Sequence, residues 1–208
     1  MLEVASARVA DLVSDEAAYA RAYAALPLWR RRKCDAHRSA AGRFESAAAG
    51  LLLLRLADRV GHDLSALDAV EGADGKPAYP TLPGFHFSLS HAKDRVLVAV
   101  SDRPVGCDVE RVRAPSPELL AACLAPAERA AWDRGAFAAP EAAAFIRLWV
   151  RKESVVKARG TGFAVDPNTV EVLSDLLPDG LRLHDVDFGD GTLGAVATYG
   201  ADVPRFMV

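Results

Sequence analysis

The first residues that point to chemistry are two acidic side chains, Asp108 and Glu110, with one residue between them. They lie in the segment Gly106-Cys107-Asp108-Val109-Glu110, and on a strand such positions project to the same face. Adjacent carboxylates repel each other and are costly to bury without a cation. Mg²⁺ would remove this cost, because it takes oxygen ligands. The same pattern also fits a solvated acidic pair at the end of a strand.

A second candidate is the segment from Trp149 to Gly160, which reads WVRKESVVKARG. On a helix, Trp149, Glu153 and Lys157 are four residues apart and share one face. Taken alone, this pattern also fits an ordinary amphipathic helix with a surface Glu–Lys pair, which is worth only a few tenths of a kcal/mol.

Two further segments carry groups that bind anions. The sequence Phe87-Ser88-Leu89-Ser90-His91 ends a predicted strand, where a hydroxyl and an imidazole can bind a phosphate. A single histidine on a strand is also common as a partly buried side chain. The run from Arg30 to Lys33 places four cations in succession, which fits either a solvated face or an anion site.

The elements that position these residues alternate along the chain. Residues 14–62 are predicted to be helical, with breaks at Pro27 and near Gly42, and the clearest helix runs from about Phe44 to Arg59. The chain is also predicted to be helical from Pro117 to about Gly160. Strands are predicted at FHFSLSHA, RVLVAVSD and VGCDVERV, and after the second helical stretch at TVEVL, LRLHDVDF and LGAVATYG.

This order predicts an α+β protein built from two α/β halves that pack together. We define the first half as residues 1–104 and the second half, which carries the acidic and helical motifs, as residues 105–208. A cleft between two such halves is a common place for a ligand site.

Composition and charge exclude several classes of protein. Hydrophobic residues make up 51% of the 208 and charged residues 25%, which is globular composition. A net charge of −3 and only 7% aromatic residues argue against nucleic-acid binding. The N-terminus lacks a signal-peptide pattern, and the longest apolar run, Ala47–Leu54, is far shorter than the about 20 residues that span a bilayer. Three cysteines without CxxC spacing argue against a disulfide framework and for a cytoplasmic protein.

Taken together, the order and spacing of these segments resemble the Sfp-type 4′-phosphopantetheinyl transferases. The family's signature strand stands here as Gly106 to Glu110, and its W-x-x-K-E helix as Trp149 to Gly160. Its G-K-P stands as Gly75-Lys76-Pro77, and the strand that ends in Ser-His as Phe87 to Ala92. The resemblance covers roughly residues 28–163.

Three positions depart from the family pattern. Ser88 stands where the family has Asn, and Cys107 where it usually has Ile, but neither change removes a ligand. Glu45 stands where many members have Arg before a Ser or Thr, and its negative charge opposes a phosphate contact.

The resemblance implies an enzyme that transfers the 4′-phosphopantetheine arm of coenzyme A to a serine of an apo carrier protein and releases adenosine 3′,5′-bisphosphate. It implies a pair of pseudo-symmetric halves, active as a monomer, with coenzyme A in the cleft between them. The sequence does not distinguish carriers of fatty acid, polyketide or nonribosomal peptide synthesis, nor coenzyme A from its acylated forms.

The resemblance also assigns residues. Asp108, Glu110 and Glu153 would hold Mg²⁺, for which Mn²⁺ can substitute. Catalytic roles are expected for Glu153, or a water that it holds, as the base, Lys157 at the leaving phosphate and Lys152 at the pyrophosphate. Residues expected to bind coenzyme A are Arg30, Lys33, Ser46, Lys76, Ser90, His91 and Lys157. Ser46 is expected to begin a helix whose N-terminal N–H groups favour anions.

Two other classes of function fit parts of the pattern. A noncatalytic carrier-protein or anion-binding module would use the cations from Arg30 to Lys33, but simple binding needs no set of three carboxylates. An RNA-binding protein would place aromatic residues among its cations, which this sequence does not do.

Overall fold

The computed structural model describes residues 1–72, 75–137, 140–162 and 165–207. Phe163 and Val208, the last residues of the region of resemblance and of the second half, therefore lie outside the described residues. The strands are β1 Leu2–Arg8, β2 Val70–Glu71, β3 Pro77–Ala78, β4 His86–Ala92, β5 Arg95–Ser101, β6 Val105–Arg111, β7 Leu181–Asp187, β8 Thr192–Tyr199 and β9 Arg205–Met207. The helices are α1 Val9–Leu12, α2 Glu16–Ala25, α3 Leu28–Asp35, α4 Ala40–Arg59, α5 Pro117–Cys123, α6 Pro126–Asp133 and α7 Glu141–Arg159, with a 3-10 turn at Pro167–Thr169.

Three strands of the first half and β9 of the second form a four-stranded sheet in the order β4-β5-β1-β9. β5 is antiparallel to both of its neighbours, and β9 is parallel to β1. The long helix α4 packs on this sheet because its apolar stripe, including Leu52, Leu53 and Leu56, is buried against strand residues such as Val96 and Val98. The longest apolar run, Ala47–Leu54, lies within α4, and most of its residues are buried.

The second half contains a three-stranded antiparallel sheet in the order β6-β8-β7. The long helix α7 packs across β6 and β8. Pro140 precedes the first turn of α7. Gly160 follows the last turn and ends the helix, with φ of +71° in the left-handed conformation that favours glycine.

The two halves meet where β6 lies against β4 and β5. Side chains of the two sheets share a core that includes Leu97, Val105 and Cys107. Polar contacts follow the same seam, because Ser88 Oγ accepts from the backbone N–H of Cys107 at 3.0 Å. The cysteine that replaces the family's isoleucine is thus a fully buried seam residue.

The predicted α+β class is confirmed, and several boundaries are corrected. The break near Gly42 and the helix start near Phe44 are wrong, because α4 begins at Ala40 with Ser39 as its N-cap and Gly42 lies within its first turn. The predicted strand TVEVL is wrong as well, since it contains the end of the 3-10 turn and an irregular segment. No strand was predicted at β1 or β9. The division at residue 104 stays a prediction, and β9 from the second half completes the sheet of the first. Within the described residues, no helix is long and apolar enough to cross a membrane.

Candidate active site

A cavity of about 580 Å³ opens between the two halves, and we call it the cleft. The first half contributes α3, β4 and the segment at Gly75–Pro77, while the second half contributes β6, α7 and the segment after it. Of the residues expected to act in the site, those that line the cleft are Arg30, Lys33, Lys76, His91, Asp108, Glu110, Lys152, Glu153 and Lys157. The cleft therefore brings together residues from segments more than 100 positions apart.

The pattern arguments for shared faces are confirmed here. Asp108 and Glu110 both face the cleft from β6, as expected from their spacing of two on a strand. Trp149, Glu153 and Lys157 all face it from α7, as expected from their spacing of four on a helix.

The carboxylate of Asp108 lies at the centre of the polar contacts. Its Oδ1 accepts from Lys157 Nζ at 2.7 Å and from Ser90 Oγ at 2.8 Å. Its Oδ2 is buried and has no hydrogen-bond partner among the described residues. Ser90 thus acts on the carboxylate, which was expected to bind the metal, and does not itself line the cleft.

The two glutamates of the cleft are held where ionisation is costly. Burial is the larger cause and the Asp108 charge the second in raising the pKa of the Glu153 carboxyl. The same two causes, in the same order, raise the pKa of Glu110, against smaller opposite effects of Arg113 and Lys157. The carboxylates therefore repel one another across the site. No group of three or more His, Cys, Asp or Glu side chains within the described residues is arranged to hold a metal ion.

Lys157 is the cation nearest to these acids. Its ammonium donates to Asp108 and to the backbone carbonyl of Cys107 at 3.1 Å. Burial opposes the charge of this ammonium, but the neighbouring anionic groups, led by Asp108, outweigh burial and raise its pKa. Lys157 is therefore held protonated in the cleft.

Lys152 is placed differently from the role expected for it. Its side chain is almost completely buried, and its Nζ lies 2.6 Å from Glu128 Oε2. It also donates to the carbonyl oxygens of Pro167 and Val170. The expected contact of Lys152 with the pyrophosphate is corrected on this geometry, because the ammonium is already engaged by a buried carboxylate and two carbonyls.

Lys76 is likewise engaged by the protein. Its Nζ donates to the carbonyl oxygens of Val105 at 3.0 Å, Lys157 at 2.6 Å and Ala158 at 3.4 Å. Burial lowers the pKa of this ammonium to about 8. The side chain of Lys76 lines the cleft, but its ammonium donates its hydrogen bonds to backbone carbonyls.

Arg30 and Lys33 share one face of α3, as their spacing predicts, but differ in burial. Arg30 is buried. Its guanidinium donates hydrogen bonds to two oxygens of Ser46, the backbone carbonyl at 2.6 Å and Oγ at 2.9 Å. Lys33 is exposed and lies 2.5 Å from Glu71. Arg30 Nε is buried with no hydrogen-bond partner among the described residues.

Ser46 does not begin a helix. It lies in the second turn of α4, is 2% exposed and does not line the cleft. The expected anion site at a helix N-terminus near Ser46 is therefore wrong, because the helix starts six residues earlier. Ser46 instead orients the guanidinium of Arg30.

His91 and Glu45 form a pair at the edge of the cleft. His91 Nδ1 lies 3.0 Å from Glu45 Oε2. Burial and the positive charges of Arg30, His37 and Lys157 lower the pKa of His91 to about 4. Burial also raises the pKa of Glu45. Glu45, the acidic residue that departs from the family pattern, thus points toward His91 and does not line the cleft.

Sequence reasoning missed two kinds of residue. Trp29 and Phe87 form part of the apolar wall of the cleft, and their ring centroids lie 5.8 Å apart. The alternating pattern along β4 could have indicated that Phe87 faces inward. Glu128, which is fully buried and binds Lys152, carried no signal beyond its place three residues after Ala125 at a helix start.

Known proteins resemble this chain in sequence as well. Residues 104–183 match the 4′-phosphopantetheinyl transferase superfamily. A 4′-phosphopantetheinyl transferase of Bacillus subtilis is 28% identical over 188 residues, which is 80% of each chain. The 4′-phosphopantetheinyl transferase AcpT of Escherichia coli O157:H7 is 38% identical over 103 residues, 48% of this chain and 52% of AcpT.

The 4′-phosphopantetheinyl transferase Sfp of Bacillus subtilis strain 168 is 29% identical over 130 residues. That alignment covers 55% of this chain and 56% of Sfp, so the matches to AcpT and Sfp each span about half of those proteins. The superfamily match contains both acidic positions of β6 and all of α7, which are the elements that form the second-half wall of the cleft. The part of the chain from residue 104 to residue 183 thus matches the 4′-phosphopantetheinyl transferase superfamily, and the resemblance of the chain to Sfp-type members is confirmed.

Proposed function

We propose that this chain transfers the 4′-phosphopantetheine group of coenzyme A to a serine of an apo carrier protein. The observation that carries the proposal is the cleft itself, in which carboxylates and Lys157 from the second half face Arg30, Lys33 and His91 from the first. This arrangement suits a ligand with several phosphates, because cations on one wall can bind phosphate while carboxylates on the other can bind a metal.

Mg²⁺ suits the carboxylate chemistry of the acidic wall of the cleft, although the three carboxylates would have to draw together to bind it. Asp108 Oδ2 is a buried oxygen without a partner among the described residues, and the neighbouring glutamates have raised pKa values through burial and mutual repulsion. A divalent cation would relieve both conditions, since hard cations bind carboxylate oxygens. Asp108, Glu110 and Glu153 would hold it, and when bound it would neutralise charge on the pyrophosphate. Mn²⁺ is expected to substitute.

The residues of the chain have separate tasks in the reaction. The serine oxygen forms a bond to the β-phosphorus of coenzyme A, and the bond from that phosphorus to the oxygen of the leaving adenosine 3′,5′-bisphosphate breaks. Glu153, or a water that it holds, accepts the serine proton, and a raised pKa makes a carboxylate a better base. Lys157 keeps its proton beside the acids and stabilises charge on the leaving phosphate.

Coenzyme A is held from the first half in this proposal. Arg30, Lys33 and His91 are the residues that we assign to its 3′-phosphate. Ser46 and Ser90 contribute indirectly, by hydrogen bonds that orient Arg30 and Asp108. Because both walls of the cleft belong to one chain, we expect a monomer to be active.

The proposed partner is an acidic carrier protein, and the proposed location is the cytoplasm. Three buried cysteines without disulfide bonds suit a reducing compartment. Whether the carrier serves fatty acid, polyketide or nonribosomal peptide synthesis is a question for the experiment below, in which one carrier of each kind is supplied.

The test is to incubate the chain with coenzyme A, Mg²⁺ and each apo carrier protein and to weigh the carrier. The expected result is a mass increase of one phosphopantetheine group in at least one carrier, lost when the metal is chelated. Glu153→Gln keeps the size of the side chain but removes its charge, and it should slow transfer by about 100-fold or more. Arg134→Gln, at an exposed position after α6, is the matched control and should transfer at the wild-type rate. Binding of coenzyme A without any mass change would instead indicate the noncatalytic module.

A further inference from the structure

Lys76 joins the two halves of the chain at one point. It precedes β3 in the first half, yet the three hydrogen bonds that its ammonium donates within the described residues all go to the second half. One acceptor, Val105, is the first residue of β6. The other two, Lys157 and Ala158, lie in the last turn of α7. An ammonium has three N–H donors, so these contacts use its full capacity.

The acceptors in α7 are groups that the helix cannot satisfy by itself. The last four carbonyls of an α-helix have no intrahelical partner, and they carry the partial negative charge of the helix dipole. The backbone N–H groups of Gly160 and Thr161 both donate to Val156, which leaves the next two carbonyls to Lys76. Lys76 is therefore a C-terminal cap for α7 that comes from the other half of the chain.

Near the capped turn, α7 and β6 also approach each other closely. A Cβ atom on Gly106 would lie 2.0 Å from the carbonyl oxygen of Ser154 and 2.4 Å from the backbone nitrogen of Ala158. Helix and strand thus touch backbone to backbone beside the Lys76 ammonium. The position of α7 along β6 sets the distance between Lys157 and Asp108, which is 2.7 Å between Nζ and Oδ1.

We propose that Lys76 is a positioning residue that fixes the end of α7 against β6 and thereby holds Lys157 and Glu153 in place opposite Asp108. It does not bind a phosphate of coenzyme A, since its donors are taken by backbone carbonyls. Its partial burial and the fall of its pKa to about 8 agree with this placement. The inference rests on the proposed function where it is tested by transfer kinetics. The test by hydrogen exchange does not depend on that function.

The kinetic test compares Lys76→Met with Lys33→Met, since both lysines line the cleft and only Lys33 is exposed. Lys76→Met should lower kcat by about 10- to 100-fold, as expected when reacting groups are misplaced, with KM for coenzyme A within about threefold. Lys33→Met should mainly raise KM. A raised KM with unchanged kcat in Lys76→Met would show a phosphate contact and overturn the proposal.

A double variant asks whether Lys76 acts through Lys157. If it does, Lys76→Met combined with Lys157→Met should be no slower than Lys157→Met alone, because residues that act as a unit are not additive. Losses that multiply would show independent action and would overturn the proposal. If Lys76→Met does not fold, Lys76→Arg, which keeps charged donors, takes its place and should show the same pattern with a smaller loss in kcat.

Hydrogen exchange provides the readout that does not depend on catalysis. In Lys76→Met without any ligand, the amides of residues 156–161 should exchange at least about tenfold faster than in the wild type, because their cap is lost. Amides of α4, far along the chain, should keep their rates. Unchanged exchange at 156–161 would contradict the cap even if kcat falls. A wild-type chain that transfers nothing would overturn the proposed function alone, and the exchange result would still judge the role of Lys76.

Discussion

Burial and the nearby charge of Asp108 raise the pKa of both Glu110 and Glu153. Removing one carboxylate therefore has opposite effects with and without a metal. Without Mg²⁺, Glu110→Gln relieves repulsion and should raise Tm. With Mg²⁺ at about 100 times its Kd, binding stabilises the wild type by about 2.7 kcal/mol, and Glu110→Gln should lose most of that gain.

The measurement is thermal unfolding of both proteins in chelator and in MgCl₂. Asp133→Asn, an exposed change at the end of α6, is the control and should respond to Mg²⁺ as the wild type does. An equal increase in Tm on adding Mg²⁺ to Glu110→Gln and to the wild type would exclude Glu110 from the metal site.

His91 makes stability depend on pH in a direction that its surroundings determine. Burial and nearby cations lower its pKa to about 4 in the folded chain, below the 6.5 of an unfolded one. Between these values the unfolded chain binds a proton that the folded chain does not, so the free energy of unfolding falls as pH falls from about 6.5 to 4. His91→Gln should reduce this fall, as measured by urea unfolding at several pH values. The same pH dependence in both proteins would contradict a partly buried His91 that stays neutral in the folded chain.

At this scale the sequence predicted which residues face the cleft better than it predicted what they bind. Shared faces follow from periods of two and 3.6, so Asp108 with Glu110 and Glu153 with Lys157 could be placed together. The partners of Lys76 and Lys152 are carbonyls and a carboxylate from distant segments. These contacts form only when the chain has folded, so no local sequence pattern predicts them.

Among the elements, the contact of β6 with α7 is the one that the site depends on most. Gly106 permits it, since any Cβ there would collide with the backbone of Ser154 and Ala158. Gly106→Ala should therefore push α7 away from β6, cost about 3 kcal/mol or more of unfolding free energy, and greatly reduce activity.

The control for this prediction is Gly72→Ala. Its added Cβ would have only ordinary contact, at 3.6 Å, with the carbonyl oxygen of Lys76, so its stability should stay within about 0.5 kcal/mol of the wild type. Chemical unfolding of both variants supplies the comparison. Wild-type stability in Gly106→Ala would mean that strand and helix do not meet so closely.

Element boundaries show why the sequence succeeded in some places and not in others. β4, β5 and β6 carry valine-rich or alternating patterns that are typical of strands, and they were predicted. The segment TVEVL has the same composition, but the backbone N–H of Val172 donates to the buried Glu128 side chain. β9 has only three residues and is held by β1, so its pairing is a tertiary effect.

For the whole molecule, docking of a carrier protein depends more on local charges near the cleft than on the net charge of the chain. The chain and an acidic carrier are both negative, since this chain has a net charge of −3. Attraction must come from exposed cations near the cleft such as Lys33, and exposed charges are screened by salt. Raising the salt concentration should therefore raise KM for the carrier more than it lowers kcat. Steady-state kinetics at several NaCl concentrations test this, and a KM independent of salt would argue against electrostatic docking.

The two halves are tied together well enough that they should unfold as one unit. β9 pairs with β1, and Arg95 of β5 donates to Asp190, between β7 and β8, at 2.7 Å. This hydrogen bond lowers the pKa of Asp190 to about 2, so the stability that it contributes is present at neutral pH and is lost only as pH falls from about 3.8 toward 2. Asp190→Asn at pH 7 should therefore destabilise both halves, although the change lies in only one of them.

Tryptophan fluorescence can follow each half separately, because Trp29 lies in the first half and Trp132 and Trp149 lie in the second. Trp29→Phe reports only the second half, and Trp132→Phe with Trp149→Phe reports only the first. In each background, Asp190→Asn should move the urea midpoint to lower concentration relative to its own parent and by the same amount, as a two-state chain requires. A shift confined to the second-half tryptophans would mean that the halves unfold independently, and that the cleft between them is held together by ligand rather than by the fold.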